Sequence, residues 1–160
     1  SNEDELWLLA ASGLLVVHWL GDSLDGTLAR VRKTERPRYG YYLDHLVDAF
    51  ATAAIGIGLG LSPHMLLAVG LAIVVAYLIL SINTYLETQA LGVFTLGYGR
   101  LGPTEARLLL IAINTALVLG VLQFGLLDVL GIGLAAAMIA ALVTRAWRNL
   151  RRLAELEPAA

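Results

Sequence analysis

Residues Gly21–Asp48 read GDSLDGTLARVRKTERPRYGYYLDHLVD, and four aspartates punctuate the stretch: Asp22, Asp25, Asp44 and Asp48. What makes them decisive is their surroundings. The segments just before and just after, residues 6–20 and 49–61, are almost wholly apolar. A carboxylate carried on a membrane helix costs roughly 2.5–3.5 kcal/mol at the bilayer centre and less toward the interface. Four of them in two successive apolar segments require a compensating cation or a water-filled cavity. Asp22 and Asp25 are spaced i, i+3, and Asp44 and Asp48 i, i+4, so each pair shares one helix face. The basic stretch 31–39 between the pairs predicts two antiparallel neighbouring helices whose acidic ends meet on the same side.

The rest of the chain agrees with a membrane setting. Of 160 residues, 58% are hydrophobic and 15% charged, against about 25% charged in soluble domains. Mean hydropathy is +0.74. The length suits one domain, so residues 1–160 are read as a single transmembrane catalytic domain. There is no cysteine, which excludes disulfides and thiolate metal sites. Ser1-Asn2 reads as a tag remnant and is set aside. The apolar run from Leu6 has acidic flanks and no cleavage site of small residues, so it is not a signal peptide.

A spanning helix needs about 20 apolar residues. Five segments meet or approach this: 6–30, 40–61, 64–90, 104–124 and 126–149. Ser62-Pro63, Gly102-Pro103 and Gly125 mark the breaks, and Thr104 before Glu105 predicts an N-cap with an acid in the first turn. The fold class is therefore all-α, a polytopic membrane helix bundle. All 11 Lys and Arg fall in three places, Arg30–Arg38, Arg100–Arg107 and Arg145–Arg152. Alternating five spans puts all three on one side, which the positive-inside rule makes cytoplasmic. The stretch 145–156 is expected to lie as a basic interfacial extension with Trp147 among the headgroups. Nothing in the charge pattern suggests nucleic acid.

Four carboxylates converging from two helices form an all-oxygen, strongly anionic site suited to hard divalent ions such as Mg²⁺ or Mn²⁺. Four acids support two ions, the arrangement that clamps attacking and leaving oxygens in phosphoryl transfer. The competing reading has the aspartates capping helices or pairing with Arg30, Arg32 and Lys33. Gly26, Ala29 and Gly40 are small enough to let a ligand or a second helix approach the backbone. Arg30 suits a bidentate phosphate contact or an interfacial anchor.

The pattern Asp22-x-x-Asp25-Gly26-x-x-Ala29-Arg30, nine residues, then Gly40-x-x-x-Asp44-x-x-x-Asp48 resembles the signature of the CDP-alcohol phosphotransferases. All eight fixed positions are present over 27 residues. The resemblance implies a six-helix membrane fold, a homodimer, and a site open to the cytoplasm. It implies metal ligation by Asp22, Asp25 and Asp44, with Asp48 as general base and further ligand. It places Gly26, Ala29 and Gly40 around the cytidine and Arg30 on the donor's phosphates. The expected partners are a CDP-alcohol donor, an alcohol acceptor and membrane lipids, and the expected chemistry is release of CMP in phospholipid biosynthesis. One departure is that only five spans are visible. The family's first helix, with its Pro-Asn stretch, has no counterpart before Leu6.

A base beside two cations is weakened, so a nearby histidine is of interest. His45 directly follows Asp44, which is similar to the choline/ethanolamine phosphotransferase branch, as is Gly102-Pro103-Thr104-Glu105. His45 satisfied by neighbouring polar groups is the alternative. Glu105 and Arg107 are candidate acceptor-site residues. Arg100 with Arg107 would suit a phosphorylated polar acceptor, glycerol phosphate or inositol phosphate, or else serve as ordinary inner-side charges. Asn83, Thr84, Glu87 and Gln89 are candidates to line a cavity, Asn114 to bond another helix, and Gly56, Gly58 and Gly60 to allow close helix approach or a dimer contact. A divalent-cation transporter or channel is the competing class. No polar path leads from the acids to the far side, where Asp128 is the single acid by the loop.

Overall fold

The described residues of the computed structural model are 2–33, 36–92, 103–122 and 125–157. Within the helices, the side chains of residues 2–5, Asp22, Asp25, Gly26, Ala29, Arg30 and residues 103–106 fall outside the description. The described residues are all-helical, in five helices: α1 (Asn2–Val31), α2 (Pro37–Leu61), α3 (Leu67–Leu91), α4 (Pro103–Val118) and α5 (Leu126–Leu156). Three of them, α2, α3 and α5, are long and apolar enough to cross a membrane. The uninterrupted apolar stretches of the other two, Leu6–Gly21 and Arg107–Val118, are shorter than the expected spans.

Local chemistry explains where the boundaries depart from expectation. Pro37 and Pro103 are the first residues of α2 and α4, where a missing N–H costs nothing and φ is already helical. Gly40 therefore sits in the first turn of α2 rather than opening it, with its N–H on the Arg36 carbonyl at 2.8 Å. Thr104 likewise lies inside the first turn of α4 and is not its N-cap. α4 stops at Val118 instead of 124. Gly120, at φ +65°, takes the left-handed position of a Schellman turn, with Val121 N–H on Ala116 O and Gly120 N–H on Leu117 O, both at 3.0 Å. α5 does not end near residue 149 but runs unbroken to Leu156.

The chain divides into two compact units. One comprises Ser1–Val47 with Gly99–Gln123, the other Asp48–Tyr98 with Phe124–Ala160. In the first, α1 packs on α4. Asn114, buried in α4, donates from Nδ2 to Ser12 Oγ of α1 at 3.1 Å, the interhelical bond expected of a polar residue in an apolar helix.

In the second unit α3 is the centre. Gly56 and Gly60 of α2 meet Gly70 of α3, and a Cβ on Gly70 would lie 2.4 Å from Gly56 O. Small residues let the two backbones touch, which replaces the hydrophobic drive that lipid cannot supply. Gly56 and Gly60 serve this contact within the chain, whereas among the described residues nothing lies within 4 Å of a Cβ on Gly58. On its other side α3 packs on α5, with Gly131 receiving Val69 and Ile73. The two helices run parallel, as alternating spans require. At one end Leu66 N–H donates to Asp128 Oδ1 at 2.7 Å, and at the other Arg145 Nε donates to Glu87 Oε2 at 2.5 Å. The buried core is thin and made of small and branched residues such as Val69, Val74, Ala76, Leu80 and Ala135, while most large apolar side chains face outward. That is the pattern of a helix bundle with lipid as its solvent.

Candidate active site

Both halves of the aspartate pattern lie on helices. Asp22, Asp25, Gly26, Ala29 and Arg30 are part of continuous α1, and Thr27 Oγ1 bonding Ser23 O at 3.0 Å shows ordinary helical geometry through that region. Their side chains lie outside the described residues. α1 ends at Val31, and two residues on Lys33 takes a φ of +54° in the turn that follows. A left-handed lysine costs about 1–2 kcal/mol, so this turn conformation is held against a local preference.

On α2, Asp44 and Asp48 are one turn apart, as the i, i+4 spacing predicts. The Asp44 side chain is half exposed at 48%, and Asp48 is partly buried. Gly40 lies one turn before Asp44, and a Cβ there would meet nothing within 4 Å. Among the described residues, the backbone at Gly40 is therefore open one turn before the Asp44 carboxylate. The oxygens of Asp44 and Asp48 suit a hard divalent cation, and the ground beside Gly40 leaves space for a ligand. The fit is chemical and incomplete on α2 alone: among the described residues no three His, Cys, Asp or Glu side chains come together to hold a metal. A cation at this place needs carboxylates from outside α2.

His45 is held by its own helix. Its Nδ1 lies 2.9 Å from the Tyr41 carbonyl oxygen, which can only accept, so Nδ1–H is the donor. The same nitrogen is 3.5 Å from Asp44 Oδ2, and the Tyr41 and His45 rings stack at 4.2 Å between centroids. In the neutral ring this leaves Nε2 as the accepting nitrogen. Of the two readings of His45, satisfaction by neighbouring polar groups describes its Nδ1. Tyr41 was not singled out from sequence, although a residue four before a helical histidine is its natural backbone partner.

The acceptor-site candidates divide. Arg107 is partly buried on α4, while the Glu105 side chain and Arg100 lie outside the described residues. The expected cavity lining on α3 also divides. The hydroxyls of Thr84 and Thr88 bond back to Leu80 O and Thr84 O at 3.1 and 2.8 Å, Gln89 is exposed, and Glu87 pairs with Arg145. Asn83 Nδ2 is buried with no partner among the described residues. Sequence reasoning placed Arg145 with the exposed inner-side charges and did not see this ion pair. Glu87 and Arg145 are 58 residues apart, and no local pattern links them.

Comparison with known proteins gives one clear finding. A family model described as CDP-alcohol phosphatidyltransferase matches residues 3–147. Neither the curated proteins nor the solved structures show a significant match. The matched span reaches from the start of α1 into α5 and includes the whole aspartate pattern, and on that ground the chain belongs to the CDP-alcohol phosphatidyltransferase family.

Proposed function

We propose that this chain moves a substituted phosphate from a CDP-linked alcohol to an acceptor alcohol, with release of CMP, as a step of phospholipid biosynthesis. The observation that carries the reading is that the family match over 3–147 coincides with all eight positions of the aspartate pattern. The remainder follows from the chemistry of those residues.

Asp22, Asp25, Asp44 and Asp48 would hold Mg²⁺ or Mn²⁺, two ions for four acids, and ions held there would neutralise charge on the pyrophosphate. Asp48, the partly buried member of the α2 pair, takes the proton of the acceptor hydroxyl. The acceptor oxygen then bonds to the phosphorus that carries the donor's alcohol, the pyrophosphate P–O bond breaks, and CMP departs. Gly26, Ala29 and Gly40 leave room for the cytidine, and Arg30 pairs with a donor phosphate. His45, next to Asp44 in sequence and with Nδ1 held by Tyr41 O, is a second candidate for proton transfer. The enzyme works as a homodimer, and its site faces the cytoplasm, the side to which alternating spans would assign the basic segments.

The test is a screen of CDP-alcohols against lipid alcohols and phosphorylated polar acceptors, with protein in membranes and CMP release as the readout. One pair should release CMP only when Mg²⁺ or Mn²⁺ is present. Uptake of labelled Mn²⁺ into sealed vesicles, with no CMP from any pair, would replace this reading with an ion path.

A further inference from the structure

Helix α5 is longer than a membrane is thick, and its charges are sorted along its axis. The two polar ties to α3, at Asp128 and Arg145, are 17 residues apart, about 26 Å, close to the hydrocarbon thickness of about 30 Å. Arg145 is therefore at the hydrocarbon boundary, and the helix continues for three further turns to Leu156. Along the axis Arg148, Arg151 and Arg152 lie about 4–11 Å beyond Arg145. The headgroup layer on each side of a bilayer occupies roughly the first 5–8 Å. Glu155 and Glu157 come later, about 15–18 Å out, where that layer has ended. The Arg148 backbone lies within that layer, and those of Arg151 and Arg152 lie just outside it, from where a long arginine side chain reaches back to the phosphates, while the two acids stand farther out.

The three arginines are exposed, and among the described residues none pairs with a carboxylate. Arg145 differs, being 8% exposed and tied to Glu87. That tie fixes the root of the arm to α3. The Arg151 guanidinium carbon sits 4.8 Å from the centroid of the Trp147 ring, a cation–π contact that restrains the guanidinium beside an interfacial tryptophan. Trp147 and Leu150 are 59% and 64% exposed and present an apolar flank at the same level, as an interfacial helix does.

We infer that the arm of α5 beyond Arg145 is an anionic-lipid site, in which Arg148, Arg151 and Arg152 gather phosphate headgroups of the leaflet around Trp147. The phosphates belong to lipids of the surrounding membrane. The complementarity is one of charge and reach together: cations on a rigid rod in and just outside the layer where a leaflet carries its anions, each within side-chain reach of it.

The test uses the full chain reconstituted in phosphatidylcholine vesicles with a minority of phosphatidylglycerol, in a Trp7→Phe, Trp19→Phe background so that only Trp147 fluoresces. Either lipid is brominated in turn to quench it. Brominated phosphatidylglycerol should quench about 3- to 5-fold more than its mole fraction predicts, and high salt should reduce the excess. Arg148→Gln, Arg151→Gln, Arg152→Gln together should bring quenching down to the mole fraction, while the three Lys replacements should keep it high. Quenching at the mole fraction in the unsubstituted arm overturns the proposal. So does a Trp147 shielded from both lipids alike, as a second copy of the chain seated on the arm would cause.

Discussion

Glu87 and Arg145 join α3 to α5, and removing one of them should be far worse than removing both. Their side chains are 11% and 10% exposed, so water screens the pair little. Loss of one partner takes from the other the counter-charge that lies against it in a nearly dry site, a cost of about 3–5 kcal/mol, whereas replacing a buried pair with apolar residues of similar volume is often close to neutral. Glu87→Leu and Arg145→Met should thus each lower stability by about 3–5 kcal/mol, with the double variant well short of the sum. For a chain of this size such a loss corresponds to about 6–20 °C in Tm. The assay is thermal unfolding in detergent of the parent, both single variants and the double, arranged as a double-mutant cycle. A coupling of 2 kcal/mol or more is expected for residues in direct contact within a network. Single variants that each lose under 1 kcal/mol, with additive double effects, would refute the reasoning and mean that the ends of α3 and α5 are not locked together.

Other outcomes follow from the packing. Gly70→Ala should destabilise by about 1–3 kcal/mol, since its Cβ would meet Gly56 O at 2.4 Å and that oxygen, being backbone, cannot swing aside, whereas Gly58→Ala, with nothing within 4 Å among the described residues, should not destabilise; equal melting shifts in the two variants would contradict the close α2–α3 approach. Asn114→Leu should cost about 0.6 kcal/mol and at most about 1.7, the range for interhelical bonds in membranes, and Ser12→Ala should add little on top of it. Additive losses in the unfolding of that double variant would show that the two side chains do not bond. Asp128→Leu removes the acceptor for Leu66 N–H, and faster hydrogen exchange at Leu66 is the expected sign.

How far the sequence reached depends on the range of the interaction concerned. The existence of five helices and the helical setting of the aspartates were legible, because apolar length and i, i+3 or i, i+4 spacing are local facts. The end of α4 was legible too and was missed, since Gly120 sits where a Schellman turn needs a left-handed residue. The continuation of α5 was misjudged because four arginines look like the end of a span, yet they say nothing against helix. Gly56 and Gly60 could be named as contact residues but not told from Gly58, because which glycine meets α3 depends on the facing helix. The Glu87–Arg145 pair and the Asp128 bond lay beyond reach, joining residues 58 and 62 apart. At the candidate site, sequence supplied the aspartate pattern and the structure added the hold of Tyr41 on His45.

The central claim is that Asp48 and its three companion aspartates perform a metal-dependent phosphoryl transfer, and the most direct measurement is CMP release by Asp48→Asn. With the productive donor and acceptor, the parent should release CMP in step with product and stop when EDTA removes divalent ions. Asp48→Asn should lose nearly all turnover, by at least about 10²-fold as expected for removing a general base. Parent-level CMP release from Asp48→Asn, or release that EDTA leaves untouched, would contradict the account.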